Sequence, residues 1–180
     1  MVAKALKGYA WLTLAGLASI YILALAFTGE RPGPGLAPFE PKGPMRHIAL
    51  DSINVVELAA ETQQWRFDRA GDGAWKVTRG PAIAGLEEKL SVALKLLRNS
   101  APERILARHE LAPSSLAEFD LEKPRLRIAV HSTSAGPFVI TFGGPNALGS
   151  VRYAQVNGQD DVALLPAYTA EAWEGWASKQ

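Results

Sequence analysis

The chain has 180 residues, 48% hydrophobic and 21% charged, a mix typical of a folded protein with room for one membrane segment and one modest domain. The formal net charge is only +1, so there is no strongly basic surface, and nucleic acid is excluded as an expected partner. The chain contains no cysteine, which excludes disulfides, thiolate metal sites and cysteine nucleophiles.

The first predicted element is a helix long enough to cross a membrane. Residues 8–27 carry no charge, and twenty helical residues span about 30 Å, the hydrocarbon thickness of a bilayer. Lys4 and Lys7 precede this stretch, so the positive-inside rule places the N-terminus in the cytoplasm and everything after Phe27 outside it. We therefore predict that residues 1–28 form a cytoplasmic N-terminus and a single transmembrane helix in contact with the lipid bilayer.

The same stretch admits a second interpretation, a signal peptide that is removed after export. Ala24-Leu25-Ala26 has the small-x-small form of a cleavage site. Within a retained helix, Ala15, Gly16 and Ser19 form a small-residue surface that lets another helix approach, so they are candidate partner contacts. Small residues also occur in such helices without any contact, and that alternative stays open.

A segment rich in proline and glycine follows the apolar stretch. Residues 29–44 contain five prolines and four glycines, a composition that prevents both a helix and a central strand. In an extended conformation of about 3.1 Å per residue it reaches about 50 Å. We predict a stalk between the membrane and the domain; a strap lying over a partner is the alternative.

The remaining chain, residues 45–180, is predicted to form one extracytoplasmic α+β domain. Apolar residues between positions 48 and 56 indicate short strands, and residues 64–78 alternate around a glycine-rich turn, as in a β-hairpin. An apolar stripe with helical spacing predicts one main amphipathic helix over Leu86–Asn99. A capping box at Ser115–Glu118 predicts a short helical turn.

The last third of the chain is predicted to be rich in β-strands. Period-two alternation occurs in four segments, residues 125–131, 138–142, 152–156 and 162–165. The last two segments flank Asn157-Gly158, a strong hairpin signal. Tyr168, Ala172 and Trp176 then indicate a short C-terminal helix. The expected architecture is a set of antiparallel hairpins with the main helix packed on the sheet.

No catalytic, cofactor-binding or metal-ligating residue is predicted. His47, His109 and His131 are far apart in sequence and lack metal-ligand spacing. Residues 143–149 are glycine-rich, but no Lys-Ser/Thr pair and no helix follow them, so a loop between strands is expected rather than a phosphate cradle. Asp160 and Asp161 lack the spaced oxygen ligands of a calcium loop.

Aromatic residues near the C-terminus are the remaining candidates for an interaction. Tyr168, Trp173 and Trp176 lie close together in sequence, and tryptophan is enriched at protein contacts and membrane interfaces. They are therefore candidate partner contacts. The alternative is that they close the core of the domain.

The order of these features resembles a bacterial family described as domain of unknown function 4340. The resemblance rests on five segments over residues 46–170: the hairpin Trp65–Trp75, the segment Phe119–Pro124, Phe142-Gly143, Tyr153-Ala154 and the strand Val162–Leu165. The chain departs at Asp120, where the family usually carries glycine, so a different local turn is expected. The resemblance implies an exported, membrane-tethered protein of the bacterial inner membrane with its C-terminal domain in the periplasm. Some members are associated with transporter components linked to gliding motility, and no catalytic residues carry over.

Three classes of function compete. We expect a non-enzymatic, membrane-anchored accessory or assembly subunit that presents its extracytoplasmic domain to an integral membrane protein complex. The alternative is a ligand-binding or auxiliary component of an export system of the ABC-transporter type, which would need a concave pocket with convergent polar groups. An enzyme would need clustered polar residues with perturbed pKa values, and the sequence indicates no such cluster.

Overall fold

The computed structural model describes residues 11, 14–24, 40–60, 63–112 and 115–176, and it divides into two units, Met1–Phe39 and Glu40–Gln180. In the first unit, residues 14–24 form a helix, α1, with exposed side chains. Among the described residues, no helix combines the length and the apolar character needed to cross a bilayer. The predicted transmembrane helix stays a prediction, and most of the predicted stalk, residues 29–39, lies outside the described residues.

The second unit is built on one antiparallel sheet of eight strands, which confirms the predicted α+β class. The strands are β1 (Ile53–Ala60), β2 (Gln63–Arg69), β3 (Trp75–Arg79), β4 (Arg104–Leu106), β5 (Leu126–Ser132), β6 (Phe138–Pro145), β7 (Val151–Val156) and β8 (Val162–Pro166). Their order across the sheet is β3-β2-β1-β5-β6-β7-β8-β4. The hairpins predicted from residues 64–78, 125–142 and 152–165 are all present.

One face of the sheet, the inner face, is covered by the helices α2 (Leu86–Asn99) and α4 (Tyr168–Glu174), which also contact each other. Leu58, Ile128 and Ile140 are directly paired across β1, β5 and β6, and all three side chains are at most 1% exposed. Such ladders of apolar pairs on one face are the unit of sheet stabilisation, and they give the sheet a single buried side.

The main helix α2 has the bounds and the buried stripe that its apolar periodicity predicts. Its buried residues are Leu90, Ala93, Leu94 and Leu97, and acidic side chains occupy its first turn, where they complement the helix dipole. The chain entering the domain docks on the other end of this helix. The backbone N–H groups of Gly43 and Met45 donate to the carbonyls of Arg98 and Leu97 at 2.9 and 3.2 Å. The last residues of the predicted stalk range therefore pack on α2.

Glycine is required at a β-bulge in β6. Phe142 pairs with Ala154 and Pro145 with Arg152, so β6 carries one extra residue between the two pairs, at Gly143 and Gly144. The segment after the short helix α3 (Ser115–Glu118) crosses this bulge on the outer face, and the Gly144 N–H donates to the Phe119 carbonyl at 2.8 Å. A Cβ on Gly143 would overlap that same carbonyl oxygen, so only glycine allows the crossing.

The crossing segment is held by a Schellman motif at the end of α3. The Leu121 N–H donates to the Leu116 carbonyl at 2.8 Å and the Asp120 N–H to the Ala117 carbonyl at 3.1 Å. Asp120 occupies the left-handed position of this motif, with φ +57°. The aspartate thus adopts the conformation that glycine favours, and a turn different from that of the resembled family stays a prediction.

Three features of the fold differ from the predicted elements. Residues 43–48 form turns, Leu50–Ser52 form a 3-10 turn, and a single long strand, β1, replaces the short strands predicted there. The edge strand β4 has only three residues and was not predicted. In α4 the buried residues are Thr169, Ala170 and Trp173; of the residues that predicted this helix, Ala172 and Trp176 pack on the core, whereas Tyr168 is exposed.

The bulge gives the first prediction. Gly143→Ala should lower the free energy of unfolding by about 3 kcal/mol or more, because the obstructing atom belongs to the backbone and cannot move aside. Gly144→Ala is the matched control: its new Cβ would lie 2.8 Å from Asp120 Oδ2, the end of a side chain that can rotate, and should lower that free energy by under about 1 kcal/mol. Thermal melts of the two full-length variants compare them, and equal shifts would contradict the crossing.

The strained aspartate gives a second prediction. Asp120→Gly should be at least as stable as the natural chain, whereas Asp120→Ala should be less stable than Asp120→Gly by about 1 kcal/mol, because alanine is penalised at positive φ. Both variants remove the carboxylate, so the difference between them isolates the backbone. The measurement is the thermal midpoint, where about 1 kcal/mol corresponds to about 2–4 °C for a chain of this size.

Candidate functional site

A cleft of about 580 Å³ opens at one end of the sheet, where β1 ends, β7 begins and β6 passes under the crossing segment. It lies within the size range of small-ligand pockets in proteins. Its lining residues come from six parts of the chain and share either a charge or a small side chain: Ala60, Asp120, Arg125, Gly143, Gly144, Pro145, Arg152, Glu171, Glu174 and Gly175.

Arg152 forms one wall of the cleft and ties the sheet to α4. Its Nε donates to the Gly143 carbonyl at 3.0 Å, and its two terminal nitrogens donate to the Glu174 carboxylate. The Arg152 side chain is 14% exposed and that of Glu174 is 34% exposed, so the ion pair is largely shielded from water. A shielded, bidentate pair of this kind is stronger and more directional than a surface pair.

The other three charged groups of the cleft are unpaired. Arg125, Asp120 and Glu171 are all exposed, and no hydrogen bond or ion pair joins their side chains to any residue that the structure describes. They come from the segment before β5, the end of α3 and the first turns of α4, respectively. The cleft therefore contains one free positive group and two free negative groups beside an internally neutralised pair.

The floor of the cleft is built from small residues. Ala60 ends β1, and the three glycines Gly143, Gly144 and Gly175 add no side chain of their own, although the Phe119 carbonyl covers Gly143. Asp120 lies directly over Gly144, because a Cβ on that glycine would be 2.8 Å from Asp120 Oδ2.

The three aromatic residues predicted as partner contacts differ in their exposure to solvent. Trp173 is 0% and Trp176 is 8% exposed, and both rings belong to the core, with Trp176 edge-to-face against Phe67 at 5.5 Å. The burial of both rings agrees with the alternative given above, in which the two tryptophans close the core of the domain. Tyr168 is 49% exposed at the start of α4 and remains available to a partner.

The small residues of α1 are exposed in the first unit. The Ser19 hydroxyl donates to the carbonyl of Ala15 at 2.9 Å, one turn earlier in the same helix, and Gly16 has open space around its Cα. A partner contact through Ala15, Gly16 and Ser19 stays a prediction.

The residues considered for chemistry are dispersed in the fold. His47 and His109 lie in exposed turns, while His131 is half-buried in β5. Among the residues that the structure describes, no group of three or more His, Cys, Asp or Glu side chains could hold a metal ion.

Residues 146–150 form a hairpin turn, in which Asn146 Oδ1 accepts from the Ser150 and Val151 N–H groups at 3.0 and 3.3 Å. The loop predicted for residues 143–149 is therefore present only after residue 145, because residues 143–145 belong to β6.

The face of the sheet opposite the helices, the outer face, carries a charged network on β1, β2 and β3. Arg66 contacts Glu57 at 2.7 Å and Asp68 at 3.2 Å, and the Thr78 hydroxyl donates to the Asp68 carboxylate. The Thr78 hydrogen bond, followed by the hydrogen bond and charge of Arg66, lowers the pKa of Asp68. The Asp68 carboxylate in turn raises the pKa of Arg66.

The cleft residues could not be predicted as one site from the sequence, because no local motif joins them. In the sequence, Arg125 and Arg152 have the pattern of ordinary polar residues near strands. They line the same cleft only because β5 pairs with β6 and β6 pairs with β7. Asp120 was the one cleft residue that the sequence singled out, because it stands where the resembled family usually carries glycine.

A family model described as "Domain of unknown function (DUF4340)" matches residues 75–179, from β3 to beyond α4. The matched range is more than half of the chain and excludes β1 and β2, including Trp65 of the hairpin used for the resemblance. Comparison with curated proteins and comparison with solved structures each gave no significant match.

The outer-face network predicts a pH-dependent contribution to stability. Because the pKa of Asp68 is lower in the folded chain than the value of about 3.9 in an unfolded one, its contribution is present above about pH 4 and is lost as the pH falls through the folded pKa. Thr78→Val should therefore lower the thermal midpoint at about pH 7, and this difference from the natural chain should shrink below about pH 4.

Thr141→Val is the matched control for that experiment. The Thr141 hydroxyl donates to the Gln155 carbonyl at 3.4 Å rather than to a carboxylate, so its effect should not depend on pH. A Thr78→Val difference that stays constant between about pH 7 and about pH 3 would contradict the linkage to Asp68.

Proposed function

The chain belongs to the DUF4340 family of domains of unknown function, and from that premise we propose that it is a non-enzymatic, membrane-anchored accessory subunit. In this proposal residues 8–27 cross the bacterial inner membrane once, with the N-terminus in the cytoplasm. The domain that follows lies in the periplasm and is presented to an integral membrane protein complex. The uncharged stretch and the lysines before it support the anchor and its orientation.

The observation that carries the proposal is a pair of exposed large side chains, Leu148 and Tyr168, on two segments joined by a hydrogen bond; we call them the Leu148–Tyr168 surface. Leu148 is 87% exposed at the tip of the β6–β7 hairpin, and Tyr168 is 49% exposed at the start of α4. The Ala167 N–H donates to the Ser150 carbonyl at 2.9 Å, so the hairpin turn and the helix start are joined. Tyrosine combines apolar area with low conformational entropy and is enriched where proteins contact partners.

The hairpin tip is fixed before any partner arrives. The Asn146 side chain binds the backbone of Ser150 and Val151, and the Gly149 N–H donates to the Asn146 carbonyl at 2.9 Å. A preorganised tip loses little conformational entropy on binding, which favours its use as a contact. Exposed apolar groups held in this way support a role in assembly.

The first experiment is affinity purification of the tagged full-length chain in mild detergent, with mass spectrometry of the co-purifying proteins and of the N-terminus. We expect a stoichiometric integral membrane partner and an intact N-terminus. A chain that purifies alone would contradict the accessory role, and an N-terminus beginning after Ala26 would replace the anchor by a cleaved signal peptide.

Substitutions at the Leu148–Tyr168 surface test where the partner binds. Tyr168→Ala should reduce the recovered partner about tenfold without changing the thermal midpoint, because an exposed anchor residue typically contributes more than about 1 kcal/mol to binding. Val92→Ala on α2 is the matched control, since Val92 is also 49% exposed but lies on another element. Equal loss of partner in both variants would contradict a localised contact.

Trp173→Ala separates the contact from the core. Because this ring is fully buried, its removal should destabilise the domain by about 3–5 kcal/mol and broaden or abolish the cooperative melt. Loss of the partner with an unchanged melt would instead indicate that the tryptophan itself contacts the partner.

A second candidate function is a ligand-binding or auxiliary component of an export system of the ABC-transporter type. The cleft favours it, because convergent polar groups over a small-residue floor are features of ligand sites. Recovery of transporter subunits in the purification would support this candidate.

A further inference from the structure

The charges of the cleft comprise one internally neutralised pair and three unpaired groups. Its ionisable lining comprises two arginines and three carboxylates, Arg125 and Arg152 against Asp120, Glu171 and Glu174. Arg152 and Glu174 neutralise each other within the wall. What faces an incoming ligand is therefore one free guanidinium, Arg125, and two free carboxylates, Asp120 and Glu171.

Purely anionic ligands fit this distribution poorly. A phosphate or nucleotide would find one free guanidinium and two uncompensated carboxylates, and like charges brought together in a partly shielded cleft repel. A purely cationic ligand would leave Arg125 without a partner beside it. A ligand that carries both charges satisfies all three free groups.

We propose that the cleft binds a small zwitterion, in which an ammonium group contacts Asp120 and Glu171 while an anionic oxygen group contacts Arg125. A guanidinium presents paired donors that match a carboxylate or phosphate, and carboxylates accept hydrogen bonds from an ammonium. The short spacer between the two charges lies over Ala60 and Gly175, which contribute no bulky side chain to the lining. This ligand site is independent of the partner surface formed by Leu148 and Tyr168.

The left-handed turn at Asp120 supports the assignment. The Schellman motif fixes the backbone of this residue, and Gly144 leaves room for its carboxylate at the floor of the cleft. A left-handed backbone is strained at a residue other than glycine, and such strain clusters at ligand sites. Two sources supply the required chemistry, namely short peptides with free ends and the ethanolamine phosphate headgroup of a lipid.

The test is isothermal titration of the full-length chain in nonionic detergent. The probes are alanyl-alanine, its N-acetylated and C-amidated forms, and phosphoethanolamine. Saturable binding of alanyl-alanine, weakened about tenfold by blocking either end, would assign a peptide source. Binding of phosphoethanolamine alone would assign a headgroup source. Equal heats for free and blocked peptide, together with no binding of phosphoethanolamine, would overturn the proposal.

Matched variants locate the site. Arg125→Gln and Asp120→Asn should each weaken the binding probe about tenfold, and asparagine is chosen because it tolerates the left-handed conformation. Arg127→Gln is the control: it removes the same charge two residues away, on the exposed outer-face side of β5. Equal weakening by Arg125→Gln and Arg127→Gln would overturn the placement in the cleft. Partner recovery should be unchanged in all three variants, so failure of the ligand site and failure of the accessory role are distinguishable.

Discussion

The bulge at Gly143 and Gly144 is the constraint on which the cleft and the covering of the outer face depend. An extra residue in a strand leaves backbone groups without ladder partners, and buried polar groups must find others. Here the Gly144 N–H is satisfied by the Phe119 carbonyl and the Gly143 carbonyl by the Arg152 guanidinium. One irregularity therefore fixes a crossing segment on the outer face and an arginine on the inner face.

Phe119 and Arg152, which bind the backbone of the bulge, each hold a further part of the structure in place. Phe119, once placed over β6, stacks on Tyr153 with ring centroids 4.1 Å apart, which covers part of the outer face of β7. Arg152, once aimed at the bulge, has its remaining donors directed to Glu174, and this joins β7 to α4. The cleft lies between the crossing segment and the Arg152–Glu174 pair. Its shape therefore depends on the hydrogen bonds that these groups form with the backbone of the bulge, and not on side-chain packing alone.

Local patterns predicted the elements well and the site poorly. The helix Leu86–Asn99 and the Asn157-Gly158 hairpin follow from periodicity and turn chemistry, which act over a few residues. The strand β4 is too short to show a period, and it forms only because β8 offers an edge. The exposure of Tyr168 in α4 reflects tertiary packing, since Trp173 rather than Tyr168 meets the core. The cleft unites residues from positions 60 to 175, a relation that only the completed sheet creates.

The docking of Gly43 and Met45 on α2 bears on how the domain responds to mechanical tension. Any pull that arrives through the chain before residue 43 meets two backbone hydrogen bonds to the last turn of a helix, together with the buried side chain of Met45. The force is thus delivered to α2, in the helical layer of the core, and not to an edge of the sheet, where strands separate one hydrogen bond at a time. A domain attached in this way resists extension through its hydrophobic core.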